Sequence, residues 1–230
     1  MQQGTKTTKI VMTGLLIALT AAFTAVIAIP VPITNGYVHL GDSMVFLCVL
    51  ILGKKYGAFA AGMGSALADA ILGYFMWAPW TFCIKLIMAF LVGLIIEKCM
   101  QRRSFTILAS VATALLWVAI LLLANGDSIF VWAILLLPLG LCCVAFLLRK
   151  TEKVQVPFFQ LLGMSAGGLW MVFAYYIAGG ILYGSFLASA LSIPANMGQF
   201  FVGFFIASLV SSVLYKTPAS RFFFFEKVVK

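Results

Sequence analysis

The chain has 230 residues, of which 64% are hydrophobic and only 9% charged, so it lacks the polar surface that a soluble globule needs and reads as an integral membrane protein. Its formal charge of +9 does not imply a nucleic-acid partner, because the basic residues fall at alternate ends of apolar runs and not in one patch.

Apolar runs long enough to cross a hydrocarbon core of about 30 Å predict spans at 8–29, 37–53, 57–75, 80–97, 105–124, 128–148, 157–183 and 193–215. The expected fold is therefore a single all-α membrane domain over 1–230, and an even number of spans puts both termini on one side. Fourteen of the fifteen basic residues lie at alternate ends of these spans, among them Lys6, Lys54, Lys55, Lys98, Arg102, Arg149 and Lys216. By the positive-inside rule those ends, and both termini, are expected to be cytoplasmic in the cell membrane. Only Lys85 falls inside a span. Five cysteines, at 48, 83, 99, 142 and 143, have no metal-type spacing and read as packing residues. The first apolar run is too long for a cleavable signal and is expected to remain as a helix.

In span 1, Gly14, Ala18 and Ala22 recur on one face, and a small-residue stripe lets another helix approach closely. That helix is a partner's or a neighbour's in the same chain. The next stretch, Ile29 to Gly36, cannot be helical, because Pro30 and Pro32 restrict the residues before them and Asn35-Gly36 favours a turn. It is expected to be an outer loop able to cover a site.

Asn35 to Ser43 then brings His39, the only histidine, and Asp42 to the start of an apolar run. If that run is helical, the two share a face. Span 3 carries a small-residue stripe, Ala58, Gly62 and Ala66, leading to Asp69, and the turn after it holds Trp77 and Trp80. These tryptophans suit an interfacial belt, or a stacking wall for a ring-shaped ligand. Lys85 follows five residues beyond Trp80, so His39, Asp42, Asp69 and Lys85 all map to the outer halves of their spans. A charge at a helix centre costs about 2.5 to 3.5 kcal/mol on insertion scales. Two readings stand: the charges line a pocket, or Lys85 pairs with Asp42 or Asp69 to lower that cost. Both require spans 2, 3 and 4 to be adjacent.

Spans 5 and 6 form a Leu-rich hairpin about Asn125-Gly126-Asp127 and carry no intramembrane charge. Span 7 brings Trp170, Tyr175, Tyr176 and Gly179-Gly180 toward the outer side, and span 8 opens with Pro194, Asn196 and Gln199, the two amides on one face. No G-x-x-x-x-G-K-[ST] phosphate loop or zinc-protease motif occurs, and a single histidine excludes a His-rich metal site. Serines such as Ser65 and Ser165 lack a histidine base on the same level, which argues against a Ser-His-Asp hydrolase. What remains is an outward-opening polar pocket with an aromatic rim, and no enzyme, cofactor or metal is expected.

In order, GYVHLGDS, GKKYGAFAAGMGSALAD, WAPWTFCIKLIMAFLVG and IPANMGQFFVGFFIAS resemble the substrate-binding subunits (S components) of energy-coupling factor (ECF) vitamin transporters, over roughly 1–100 and 157–215. The resemblance implies a six-helix bundle, against which 104–150 stands as an additional inserted hairpin. It also implies high-affinity capture of a vitamin from outside, and docking on a transmembrane coupling (T) component with two ABC ATPases. Gly14, Ala18 and Ala22 would then be the coupling surface, and the loop before Tyr37 would cover the substrate. Ligand contacts would come from that loop and from the outer ends of spans 4, 7 and 8. Together the two lines of reasoning assign substrate binding to Tyr37, His39, Asp42, Asp69, Trp77, Trp80, Lys85, Tyr176, Asn196 and Gln199. Sequences with a similar GYVHLGD stretch include ones for riboflavin, pyridoxine-type compounds and the hydroxymethylpyrimidine precursor of thiamine. Two carboxylates, a lysine and amides suit a compact hydroxylated nitrogen heterocycle, which favours pyridoxine or hydroxymethylpyrimidine. The alternative is a self-sufficient, proton-coupled secondary transporter, for which a repeat between two halves is expected and none is evident.

Overall fold

The computed structural model describes residues 6–31, 36–123 and 157–225. The expected span at 128–148, the turn before it, Cys142 and Cys143 lie outside them. The elements are α1 Lys6–Val26, β1 Ala28–Val31, β2 Gly36–His39, α2 Gly41–Ile71, α3 Ala78–Gln101, α4 Arg103–Leu123, α5 Phe158–Tyr183, α6 Phe186–Ala190 and α7 Ile193–Leu214, followed by a 3-10 turn, Pro218–Phe222. The chain is thus mostly helical. Among the described residues five helical stretches are long and apolar enough to cross a membrane: α1, α2, α3, α5 and the run Phe186–Leu214.

The segment expected as a covering loop is non-helical, as its prolines dictate, but it is also paired. β1 and β2 form an antiparallel ribbon in which Ile29 faces Val38 and Ala28 faces His39. Pro30 is accommodated because a two-stranded ribbon consists only of edges, where a missing N–H costs little. One expectation is overturned here. His39 belongs to a strand and Asp42 to the first turn of α2, so they do not share a helix face.

The two spans expected at 37–53 and 57–75 appear as one helical run of 31 residues with a break at Gly53, whose φ of 73° and ψ of −178° are non-helical. A straight helix of that length would extend about 46 Å, yet Tyr37 just before it hydrogen-bonds to Asp69 near its far end at 2.6 Å. The chain therefore reverses at Gly53, where a side chain other than hydrogen would be strained. A Cβ at Gly57 would lie 2.5 Å from the carbonyl oxygen of Cys48, so the two legs touch directly above the turn. The reversal frees the carbonyl of Leu50, which accepts the Phe224 N–H at 2.9 Å. All ten residues from Gly41 to Leu50 are buried. This first leg is enclosed by its neighbours and has no lipid-facing side.

Around it pack α1, the second leg of α2, α3 and α7, with α5 joining α3 to α7 and α4 lying against α5. The core centres on Phe46, Met88, Val92, Met164, Phe200 and Phe204. On α4, Ile107, Leu108, Val111, Leu115, Val118 and Leu122 remain exposed, the apolar face that a lipid-contacting helix presents. Lys54 pairs with Glu97 at the Gly53 end of the bundle, the end that also carries Lys98 and Arg102.

Candidate functional site

At the opposite end, the β-ribbon, the second leg of α2, α3, α5, α6 and α7 surround a pocket that opens outward from the bundle. Its lining includes Tyr37, His39, Asp69, Trp77, Asn196 and Gln199, all expected from the sequence, together with Thr81, Tyr175 and Tyr183. Helical spacing explains which residues arrive. Trp77, Thr81 and Lys85 are four apart and occupy one face of α3, as do Tyr175, Gly179 and Tyr183 on α5 and Ser192, Asn196 and Gln199 on α7. Trp80 and Tyr176 lie off those faces and are not in the lining. Tyr176 instead packs on Phe186 at 5.7 Å, and its carbonyl accepts the Ser189 hydroxyl at 2.7 Å.

The upper cavity is aromatic. Trp77 lies between Tyr175 and Tyr183 at centroid distances of 5.8 and 6.0 Å, and Tyr37 stacks obliquely on Tyr74 at 4.8 Å. Beneath it lies a dry polar layer. Lys85 and Asp42 are both 0% exposed and form an ion pair, so they sit under the lining and not on it. The second oxygen of Asp42 accepts Gln199 Nε2–H at 3.0 Å. Gln199 Oε1 accepts the backbone N–H of His39 at 3.1 Å, and Lys85 Nζ lies 5.4 Å from the Tyr175 ring centre. A buried pair persists only when its remaining valences are satisfied in this way. Of the two readings of Lys85, the structure shows the pairing, with Asp42 as its partner. Close approach of α7 to α2 brings Gln199 to the same carboxylate, since a Cβ at Gly203 would stand 2.6 Å from that of Asp42.

His39 accepts the Gly41 N–H on Nδ1 at 3.0 Å, which leaves the proton on Nε2. Burial, reinforced by the Lys85 charge, depresses its pKa to about 3. It is a neutral imidazole at physiological pH. Tyr37 is held protonated well above its ordinary value by burial and by the Asp69 carboxylate it donates to. Among the described residues no group of three or more His, Cys, Asp or Glu is arranged to hold a metal ion.

Gly14, Ala18 and Ala22 all lie exposed on α1, whereas Thr13, Leu16, Thr20, Ala21 and Thr24 form its packed face. The stripe therefore points away from the rest of the described chain.

A family model described as "ECF-type riboflavin transporter, S component" matches residues 4–138 and 126–216. A Pyrococcus woesei protein described as an uncharacterized protein in gap 3'region is 45% identical over 62 residues, which are 27% of this chain and 41% of that protein. That match spans about two fifths of the relative's length.

Proposed function

The chain belongs to the ECF-type riboflavin transporter S-component family, and from this premise we propose that it is the high-affinity substrate-binding membrane subunit of an ECF-type importer for a vitamin or vitamin precursor. The family is one of transporter subunits, not of enzymes. The observation that carries the reading is the cavity. It combines aromatic walls from Tyr37, Trp77, Tyr175 and Tyr183 with polar groups from Asp69, Thr81 and Asn196, the mixture that positions a flat hydroxylated nitrogen heterocycle. Riboflavin stands first among candidates because the matching family is described by it. Pyridoxine and hydroxymethylpyrimidine, favoured by the polar residues alone, are the smaller alternatives.

In this reading the cavity faces outward and the ribbon of β1 and β2 is its cover. Lys54, Lys98, Arg102 and both termini face the cytoplasm. The chain crosses the membrane with a six-helix S-component core formed by α1, the two legs of α2, α3, α5 and α7, and α4 belongs to an insertion into it. The exposed Gly14, Ala18 and Ala22 stripe supports a docking role for α1 against a transmembrane T component, with two ABC ATPases supplying the energy that this chain has no motif to harvest.

The test is a thermal-shift panel on the detergent-purified chain without ATP, using riboflavin, pyridoxine, hydroxymethylpyrimidine and thiamine. One of them should raise the melting temperature by mass action and change Trp77 fluorescence. A folded protein that responds to none would refute the vitamin-binding assignment. Proton-driven uptake by the chain alone in liposomes would favour a secondary transporter instead.

A further inference from the structure

Three acids lie among the described residues, and two of them, Asp42 and Glu97, are ion-paired. Asp69 is not. It is 3% exposed, lines the cavity, and accepts the Tyr37 hydroxyl on Oδ1 at 2.6 Å. Its other oxygen, Oδ2, is buried with no hydrogen-bond partner. A carboxylate oxygen left this way costs free energy in the empty protein, and a donor supplied by a ligand would recover it. The surroundings restrict what can supply that donor. Tyr175 donates to Thr81 Oγ1 at 3.1 Å, Tyr37 is committed to Oδ1, and Lys85 is committed to Asp42. The Thr81 hydroxyl, which is also in hydrogen-bonding contact with the Asp69 side chain, is the protein donor with which a ligand would share that carboxylate.

We propose that Asp69 is a specificity-determining residue: its Oδ2 receives an N–H or O–H carried on the ring edge of the ligand, so the cavity selects heterocycles that present a ring-borne donor against those that present only acceptors. The proposal rests on the vitamin-binding reading above and goes further by naming the group that is read and the atom that reads it. The ring lies among the aromatic walls with its donor edge toward the α2 side, where Tyr37 holds the carboxylate in place.

Matched ligand pairs that differ only in the donor test it by calorimetric titration of the purified chain: riboflavin against N3-methylriboflavin, pyridoxine against 3-deoxypyridoxine, and hydroxymethylpyrimidine against its analogue lacking the exocyclic amine. For whichever parent binds, the donor-free analogue should bind about 30-fold more weakly to the wild type. In Asp69→Leu, which keeps the branched shape and removes the acceptor, parent and analogue should bind within about 3-fold of each other. Equal affinities in the wild type, or an undiminished loss in Asp69→Leu, would overturn the proposal and leave the vitamin-binding reading standing. Failure of every parent to bind the folded wild type would overturn both. Should Asp69→Leu not fold, Asp69→Asn replaces it: with Tyr37 still donating to the amide oxygen, an N–H stands where Oδ2 stood, and the difference between parent and analogue should collapse in the same way.

Discussion

Removing Lys85 probes the layer under the cavity most directly. Lys85→Met keeps the apolar stem and deletes the ammonium, leaving Asp42 at 0% exposure with Gln199 Nε2–H as its remaining side-chain donor. Stranding one member of a buried pair costs about 3 to 5 kcal/mol. For a chain of 230 residues, each kcal/mol lowers the melting temperature by about 2 to 4 °C, so the variant should melt about 6 to 20 °C below the wild type. Neutralising the partner as well, in Asp42→Asn/Lys85→Met, removes the uncompensated charge and should restore at least half of that loss. Tryptophan fluorescence followed through thermal unfolding in detergent, ligand-free and near neutral pH, reads all four corners of the cycle. A double variant that melts no higher than Lys85→Met would mean that the two residues do not depend on each other, and the floor would need a different account.

The pH dependence has a definite sign. Unfolded His39 takes up a proton below about pH 6.5, whereas the folded imidazole resists protonation down to about 3, so the unfolded state binds more protons between those values and stability falls as the pH drops. The contribution should diminish by about 1.4 kcal/mol between about pH 7.5 and 5.5, and a His39→Gln melting series should lack that slope. Ala18→Leu, on the exposed face of α1, should leave ligand binding by the isolated chain unchanged and abolish uptake by the assembled importer, since a bulky side chain prevents close helix approach; normal uptake would remove the stripe from the docking surface. Asn196→Leu should weaken ligand binding without lowering the melting temperature by more than a few degrees, whereas Gln199→Leu should lower both, with titration and melting measured on the same preparations.

Hydropathy and loop chemistry carried much of the architecture. The helical stretches follow the apolar runs wherever a whole helix is free to form, as in α1, α3, α5 and α7, because length and composition decide that issue in lipid. The β-ribbon was not legible. Pro30 argues against a central strand, and only the tertiary arrangement makes both strands edges, so that Pro30 can sit opposite Tyr37. The acute reversal at Gly53 falls at the break between the spans expected at 37–53 and 57–75. Its closeness, with Gly57 against Cys48, depends on packing that no local pattern encodes. In the cavity, Thr81 and Tyr183 could have been found by extending four-residue steps from Trp77 and from Tyr175. Tyr176 and Trp80 were aromatic at the right depth but lie at the edges of their lining faces, and Tyr176 is drawn away to pack on Phe186.

The depth of the charges decides how the cavity works. From the sequence, Asp42, Lys85 and Gln199 are equally plausible ligand contacts; in the structure their bonding capacity is largely consumed before a ligand arrives. Gln199 gives one N–H to Asp42 and its oxygen to the His39 backbone, so although it borders the cavity its main effect is to tie α7 to both the ribbon and α2. Asp42 and Lys85 neutralise each other without touching the lining. A net charge deep in the bundle would attract water and counter-ions into the cavity floor, whereas a neutral, saturated floor remains dry and fixed. Hydrogen-bond discrimination then falls to the groups that retain free capacity at the wall, above all Asp69, while the aromatic rings supply area. A layer that spends its polar groups internally holds the cavity open in one shape, which is the condition under which a single unsatisfied oxygen can discriminate between otherwise similar rings.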